Sequence, residues 1–437
     1  MSIASEITRI NTNIASAYTA CSGKGATMPQ TQNSANLANT INSISQGNTP
    51  VEKKDVNFYD CDGTLLHAYT KAEFLALEAL PELPTRAGLT CQGWNKTLSG
   101  MQTYVTNNNQ DNAGATYITA DRSTKLYLFV ATGAKLPDLK INVYMDPNSS
   151  ATVDWGDGTT GALNNTSPTA FNDVCAVKND YQAVDEDTVY CVRIIGGRFS
   201  LGKSTGSGNT LFNASPVLLK AEIGENCHSI SANAFNGCYS LKSVIIPQNV
   251  TSMASNTFYN CYSLKLVIIP QNVTSIGNSQ FYDCNSLTLV IFPHSITDIY
   301  PNSFYDCGSL ESVVLPHGVT KIWQYSFSNC SALTSAIIPH GNIVIDSGVF
   351  SNCNSLTSIV IPQGVTSIGT YAFSNCQNLY SVDLSAITTS AQIPSLSNSN
   401  AFPNTVTAFY VRDLNMAAEF ASATNWSAFA SKFVVKE

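Results

Sequence analysis

Charged residues are scarce in this sequence, and long apolar runs are missing. Asp, Glu, Lys and Arg make up 12% of the 437 residues, and the net charge is −8 without any basic block. A chain without clustered Lys and Arg lacks the electrostatic footprint of nucleic-acid binding. No stretch approaches the roughly 18 apolar residues of a membrane-spanning helix. We therefore expect neither a nucleic-acid partner nor a membrane span.

Cysteine is present, but the pattern of the 13 cysteines excludes a zinc site. Zinc ligands come in pairs two to four residues apart, and no such pair occurs. Instead, cysteines recur every 23 residues at Cys238, Cys261, Cys284, Cys307, Cys330, Cys353 and Cys376. Stacked at that period, their side chains point in parallel, which is poor disulfide geometry. The spacing predicts a column of reduced thiols, and we expect no metal and no cofactor.

The 23-residue unit reads F-x-x-C-x-x-L-x-x-V-x-I-P-x-x-V-x-x-I. A period in the twenties with regularly spaced leucines is typical of a leucine-rich-repeat solenoid. One unit cannot bury its apolar face alone, whereas stacked units form a continuous core. Units such as FSNCNSLTSIVIPQGVTSIG resemble the BspA-type leucine-rich repeats of bacterial surface proteins and of many phage-encoded proteins. The resemblance covers about residues 217–437. It implies adhesion, and it implies that the last segment forms a strand and a helix that cap the solenoid.

Side chains alternate along a strand, so one position of each repeat strand faces outward. In these repeats that position is apolar, at Ile245, Ile268, Ile291, Val314, Ile337 and Val360. An exposed apolar stripe is a candidate binding face for a partner. The alternative is an isoleucine ladder that reflects strand propensity and is covered by a neighbouring domain or subunit.

Two other residue columns follow the same period. Aromatic residues beside the Phe column, among them Tyr300, Trp323, Tyr325 and Tyr371, fall on the opposite, turn-rich side. They either stack on sugars or only cover that surface. His294, His317 and His340 occupy the position after the strand-ending proline. We interpret these as solvent-exposed turn residues rather than a metal ladder, because glutamine fills this position in other units.

Residues 1–48 predict a helical attachment or oligomerisation segment. Ile3, Ile7, Ile10 and Ile14 alternate at spacings of four and three, which is a heptad pattern. Isoleucine at both core positions favours three or four strands over two, so we expect a trimer. The alternative is a helix that packs on the segment following it.

Residues 54–122 predict a small domain with a hairpin and two helices. Its stretch FYDCDGTLL matches the DxDGTL motif of dehalogenase-type phosphatases, with Asp60 as nucleophile and Asp62 as acid/base. That chemistry needs a surrounding parallel α/β sheet, and no βαβ run follows. VNFYD and TLLHAY instead alternate around Asp62-Gly63 as a two-residue hairpin would. We therefore interpret the motif as a turn and the chain as not an enzyme.

Residues 124–199 predict a β-sandwich, because strand-like runs alternate with Gly, Pro and Asn turns. TVDWGDGTT resembles the WGDG signature of PKD-type immunoglobulin-like domains, which implies that Trp155 packs in the core. Asp154 and Asp157 are candidate calcium ligands, or turn formers that bond their own backbone. The expected fold is mainly β with short helices: the N-terminal helical segment, a small α+β hairpin domain, the sandwich, and a solenoid with a cap over 200–437.

Two functions suit this organisation, and neither is catalytic. MSIASEITRI lacks the features of a secretory signal, and VVKE shows no wall anchor. The front portion, including DCDGTLLHAYTKAEFLAL, is similar to tail-associated proteins of phages. We therefore expect a virion tail, baseplate or fibre protein that is made in the host cytoplasm and acts outside the host cell. Its N-terminus would join other tail proteins, and its solenoid would bind a surface protein or glycan. The alternative is a bacterial cell-surface adhesin of the BspA type.

Overall fold

The computed structural model describes residues 52–61, 63–86, 89–119, 124–131, 139–155, 158–170, 172–178, 189–196, 198–201, 218–224 and 227–436. The predicted heptad residues Ile3, Ile7, Ile10 and Ile14 lie outside the described residues, as does Asp157. Asp55–Glu437 forms one compact unit. Its fold is mainly β, with few short helices and a repeat-rich solenoid.

A small domain, residues 55–119, opens this unit. Its elements are β1 (Val56–Tyr59), β2 (Leu65–Tyr69), α1 (Lys71–Leu75), β3 (Leu89–Trp94), α2 (Leu98–Asn108) and β4 (Asp111–Thr119). They form a sheet of order β2-β1-β4-β3, in which β1 pairs parallel with β4 and the other pairs are antiparallel. Thr70 and Thr97 cap the two helices with their side chains, and Asn109 ends α2 in the left-handed conformation.

The DxDGTL stretch is a hairpin turn, as predicted. Asp60 N–H donates to Thr64 O at 2.9 Å, and Gly63 takes φ 88°, a conformation that glycine adopts without strain. The turn is longer than the predicted two residues, because β1 ends at Tyr59 and β2 begins at Leu65.

The predicted sandwich strands are present. They are β5 (Thr124–Ala131), β6 (Leu139–Met145), β7 (Ser149–Asp154), β8 (Thr160–Asn165), β9 (Asn172–Lys178), β10 (Val189–Gly196) and β11 (Phe199–Leu201). β7 and β8 form an antiparallel hairpin around the WGDG stretch, and Trp155 is buried at 2% exposure. The aromatic ring packs against Gly161, where an added Cβ would lie 3.1 Å from the indole nitrogen.

Each solenoid rung contributes one strand to a front row and one to a back row. The front row is β12 (Leu218–Ile223), β14 (Ser243–Ile245), β16 (Leu266–Ile268), β18 (Leu289–Ile291), β20 (Ser312–Val314), β22 (Ser335–Ile337), β24 (Ser358–Val360), β26 (Ser381–Asp383) and β28 (Ala408–Val411). The back row is β13 (Cys227–Ile230), β15 (Ser252–Met253), β17 (Ser275–Ile276), β19 (Asp298–Ile299), β21 (Lys321–Ile322), β23 (Ile343–Ile345), β25 (Val365–Ile368) and β27 (Ser395–Leu396).

The chain ends with α3 (Leu414–Ser422), a 3-10 segment (Trp426–Lys432) and β29 (Phe433–Val435), which pairs with β28. Shorter 3-10 turns span Ser390–Gln392 and Ser399–Ala401. Phe409, Phe420 and Trp426 pack together here, with ring centroids 5.1–5.9 Å apart. Trp426 of this aromatic cluster also contacts Phe402, the last ring of the Phe column, with centroids 5.8 Å apart.

Sandwich and solenoid share both sheets. β12 pairs antiparallel with β5 and parallel with β14, while β11 pairs antiparallel with β6 and parallel with β13. One hydrophobic core runs without a break from Ile141 to Phe429. The boundary predicted between residues 199 and 200 falls inside β11, so the sandwich forms the first layers of the solenoid.

Identical side chains stack from rung to rung within that core. The Phe rings from Phe235 to Phe402 lie 5.0–5.5 Å apart with planes within 15°. The buried repeat cysteines carry free thiols. Cys261 Sγ donates to Phe235 O at 3.2 Å, and the later cysteines repeat this bond to the preceding rung. Burial raises the pKa of five of these thiols, so these five are unreactive packing groups: Cys261, Cys284, Cys307, Cys330 and Cys353.

Candidate functional site

The six predicted outward residues fall into two groups. Ile245, Ile268 and Ile291 are 5%, 8% and 1% exposed, because the small domain covers them. The prediction of an accessible binding face is therefore wrong at these three positions, and the alternative of a neighbouring domain holds there. Val314 and Ile337 are half-buried, and Val360 is 54% exposed. The candidate face is limited to these last three residues.

Apolar packing holds the small domain on the front row. Tyr59 packs with Leu266, Ile268 and Ile291, while Ile245 joins the core of the small domain itself. A Cβ at Gly114 of β4 would lie 2.8 Å from the side chain of Ile268. The missing side chain therefore permits the close approach of β4 to the solenoid.

Side chains of the small domain form hydrogen bonds with backbone groups at the ends of the front strands. The buried Asn95 side chain donates to Ile269 O at 3.2 Å and to Ile291 O at 3.3 Å. Gln92 accepts from Gln248 N–H at 2.9 Å, and the Tyr104 hydroxyl donates to Leu315 O. These bonds fix the register between the domain and the rungs, because an unmade bond at a buried carbonyl is costly.

A buried charge cluster lies across the same boundary. Asp111 pairs with Lys96, and His294 Nε2 donates to Asp111 Oδ2 at 2.9 Å. Burial alone would raise the pKa of Asp111, but Lys96 and His294 hold it below its usual value. Burial, with the nearby Lys96 charge, lowers the pKa of His294. The interpretation of His294 as an exposed turn residue is wrong, whereas His317 and His340 are exposed as expected.

Beyond the edge of the small domain, the front row emerges into a groove with a volume of 370 Å³. Its floor carries Ile337 and Val360 together with Ser335 and Ser358 from the same strands. Its wall is the carboxyl end of α2, which presents four amide side chains: Asn107, Asn108, Asn109 and Gln110. His340, Pro362 and Ala386 complete the rim.

One hydrogen bond joins the wall to the solenoid, and another holds it within the small domain. Asn108 Oδ1 accepts from His340 N–H at 3.3 Å, and Lys71 Nζ donates to Asn109 Oδ1 at 2.8 Å. No acidic, Lys or Arg side chain lines the groove among the described residues. An uncharged groove with an apolar floor and a polar wall is suited to binding rather than to proton or group transfer.

The geometry of Asp60 does not fit the phosphatase interpretation, and Asp154, one of the two candidate calcium ligands, is already paired with an arginine. Asp60 is buried, and its carboxylate accepts from Tyr117 hydroxyl at 2.6 Å, from Cys61 N–H at 2.7 Å and from Arg86 Nε at 2.7 Å. A carboxylate engaged in this way holds the turn and is not presented to a phosphate ester. Asp154 is bonded to the Arg193 guanidinium, with Nε at 3.1 Å.

Within the described ranges, no group of three or more His, Cys, Asp or Glu side chains could hold a metal ion. None of the helices in those ranges is long and apolar enough to cross a membrane.

The sequence carries a signal of the docked small domain, which our predictions did not use. The first outward position of the front strands is serine at Ser243, Ser312, Ser335, Ser358 and Ser381. It is leucine only at Leu266 and Leu289, and these are the two rungs that contact Tyr59. The interruption of the serine column therefore marks the two rungs that contact Tyr59, although the covered rung of Ile245 keeps serine at Ser243.

Comparison with known proteins supports the solenoid. Residues 205–334 and 297–408 match the family model of the BspA type leucine rich repeat region. No match to a curated protein was found. Similar solved structures include a leucine-rich repeat protein from Eubacterium ventriosum (26% identity, TM-score 0.33, 38% of this chain and 43% of that chain). A leucine-rich repeat protein from Bacteroides ovatus shows 23% identity (TM-score 0.32, 52% and 75%). A leucine rich cell surface protein from Faecalibacterium prausnitzii shows 18% identity (TM-score 0.24, 57% and 94%).

The aligned region thus spans less than half of the Eubacterium protein. The matches are to leucine-rich-repeat proteins, and no enzyme family is indicated.

Proposed function

We propose that the protein is a non-catalytic binding protein of the adhesin type, and that its groove contacts a molecule on a cell surface. The observation that carries this proposal is the uncovered part of the front row. Ile337 and Val360 lie in the groove although the preceding isoleucines are buried. The apolar front row is buried under the small domain and then continues into an accessible groove lined by amides and hydroxyls. An accessible apolar surface of this kind is a candidate binding site for a second molecule.

The match to BspA-type repeats supports the bacterial adhesin, which was the alternative prediction from the sequence, over the virion tail protein. None of the three similar structures is named as a phage protein. The PKD-like assignment has the support of the buried Trp155 and the β7–β8 hairpin. The cap assignment has the support of the aromatic cluster around Trp426. The trimer, the location at a cell surface and the partner are proposals.

Binding of the labelled full-length chain to intact cells tests this function. Human epithelial cells represent the target of an adhesin, and Gram-positive bacteria represent the target of a phage tail. We expect saturable binding to the epithelial cells in flow cytometry, and at least a tenfold loss of affinity for Val360→Arg. The matched control is Leu414→Arg, because Leu414 is 77% exposed on α3 and does not line the groove.

Two results would reject the proposal. Equal binding by Val360→Arg and Leu414→Arg would show that the groove is not used. Saturable binding to bacteria alone would restore the virion assignment.

A further inference from the structure

A second cleft lies between the turn that follows β25 and the C-terminal 3-10 segment. Its volume is 700 Å³, and it shares no residue with the groove on the front row. Its lining includes the exposed side chains of Tyr371, Asn375, Gln377 and Asn400 and the buried rings of Phe402 and Phe429. The site therefore lies on the turn-rich surface, where the sequence places its unexplained aromatic residues.

Tyr371 is held there in an unfavourable backbone conformation. Its φ is 60°, in the left-handed region, and its side chain is 48% exposed. The equivalent residues of other rungs are smaller, and all but the serine are types that tolerate this region: Asn233, Asn256, Ser279, Asn302 and Gly348. A bulky residue in this region is strained, and such strain concentrates at binding and catalytic sites. About half of the Tyr371 side chain remains in solvent and is accessible to a ligand.

Tyr325 is the informative comparison, since it occupies the same repeat position with φ 57°. A Cβ at Gly348 would lie 2.3 Å from Tyr325 Cε1, so this ring lies over the glycine of the next rung. Its conformation has a packing explanation, and it does not line the cleft. The Tyr371 ring instead borders the cleft. The next rung has no glycine over which this ring could lie.

The remaining lining groups define what the cleft can bind. The side-chain amides of Asn375, Gln377 and Asn400 form no hydrogen bond with any residue that the structure describes. Phe402 and Phe429 meet edge to face with centroids 6.0 Å apart and form an apolar floor. The one charged lining group is Lys432, and its Nζ already donates to Val406 O at 2.6 Å and to Asn404 O at 3.4 Å.

We propose that this cleft binds a neutral oligosaccharide built of hexose or N-acetylhexosamine units. The apolar face of a pyranose ring would lie on Tyr371, and its hydroxyls would pair with the three amides. A ligand of high charge would find no free counter-charge in the lining. An extended peptide would need a strand edge to pair with, and none of the lining residues belongs to a strand.

The test is binding of the purified full-length chain to cello-, laminari-, malto-, xylo- and chito-hexaose, measured by calorimetry. We expect millimolar or tighter binding of at least one of them, and at least a tenfold loss for Tyr371→Asn. Asparagine tolerates left-handed backbone, so this variant removes the ring without unfolding the rung, and its melting temperature should equal or exceed that of the parent. Tyr325→Asn is the matched control, with unchanged affinity.

The proposal would be overturned if none of the five hexaoses bound, or if Tyr371→Asn kept the affinity of the parent. An equal loss of affinity in Tyr325→Asn and Tyr371→Asn would show that the oligosaccharide does not bind in this cleft. Binding that depended on Tyr371 but required a sialylated glycan or a peptide would reject the neutral class. Val360→Arg should leave these affinities unchanged. The experiment therefore tests oligosaccharide binding in the cleft independently of cell binding through the front-row groove.

Discussion

His294 Nε2 lies 2.9 Å from Asp111 Oδ2, and this bond joins the solenoid to the small domain. The imidazole is largely buried beside the Lys96 ammonium and within reach of the rings of His317 and Tyr104, with centroids 5.4 and 5.6 Å away. A second positive charge at this point is unfavourable, so His294 is neutral while Asp111 and Lys96 form the ion pair. We therefore expect the contact between the two parts of the chain to respond to pH.

Acidification should weaken the folded protein through His294. Burial and Lys96 hold the pKa of His294 below its ordinary 6.5, so the unfolded chain takes up the proton first. Stability from this group is complete above pH 6.5 and is lost as the pH falls, by up to about 1.4 kcal/mol per pH unit. Asp111 acts in the same direction only below its ordinary 3.8, since its pKa is also lowered.

We therefore predict that His294→Gln reduces the loss of melting temperature between pH 7.5 and 5.5, measured by scanning calorimetry. Glutamine occupies the same repeat position at Gln248 and retains a donor for Asp111. His340→Gln is the control, because His340 is exposed and is not among the groups that shift the pKa of His294, and it should keep the pH dependence of the parent. The same pH slope in the parent and in His294→Gln would contradict the assignment.

The close approach of β4 to the solenoid gives a second prediction. Gly114→Ala should destabilise the protein by about 1–3 kcal/mol, because the new Cβ would lie 2.8 Å from Ile268 carbons. Ile268→Ala should cost about 2–5 kcal/mol through lost burial. The double variant should cost less than the two together by at least about 1 kcal/mol, because the cavity accommodates the added methyl group.

Urea unfolding of the four proteins measures this coupling. Gly308→Ala is the matched control with a small effect, since the nearest atom to a Cβ there is Ser331 Oγ at 3.7 Å. Strict additivity of the Gly114 and Ile268 effects would show that the two residues do not touch.

The sequence predicted the features that recur in every rung, but it did not predict the contact with the small domain, which occurs once. The period of Cys261 and its counterparts identified the buried columns because every rung meets the same neighbours. The small domain covers Ile268 at only one place along the solenoid, and the two segments are far apart in the chain. The sequence of an isoleucine column is the same whether the column is covered or exposed. Leu266 and Leu289 were the local exception. The pairing of β5 with β12 left no comparable mark, because sheet pairing is made by backbone groups that every sequence carries.

Asp60 gives a third prediction. Asp60→Asn should lower stability by about 1–3 kcal/mol, because it weakens the bonds from Tyr117 and Arg86 to a buried carboxylate. Neither the parent nor the variant should hydrolyse p-nitrophenyl phosphate. Tyr117→Phe removes one of the same bonds without touching the aspartate and should destabilise less. Hydrolysis by the parent that disappears in Asp60→Asn but persists in Tyr117→Phe would revive the phosphatase interpretation.

The heptad at the start of the chain gives the last prediction. Ile3, Ile7, Ile10 and Ile14 follow the core spacing of a coiled coil, and isoleucine at both core positions favours three strands over two. We expect light scattering to give three times the chain mass of 46.8 kDa. Ile7→Asn with Ile10→Asn should yield the monomer, because polar groups at core positions remove the apolar contacts. Thr8→Asn with Thr12→Asn, which changes positions between the core residues, should leave the trimer intact. A monomeric parent would show that this segment serves another purpose, such as packing on the residues that follow it, and adhesion would then depend on single-site affinity without the gain from three linked sites.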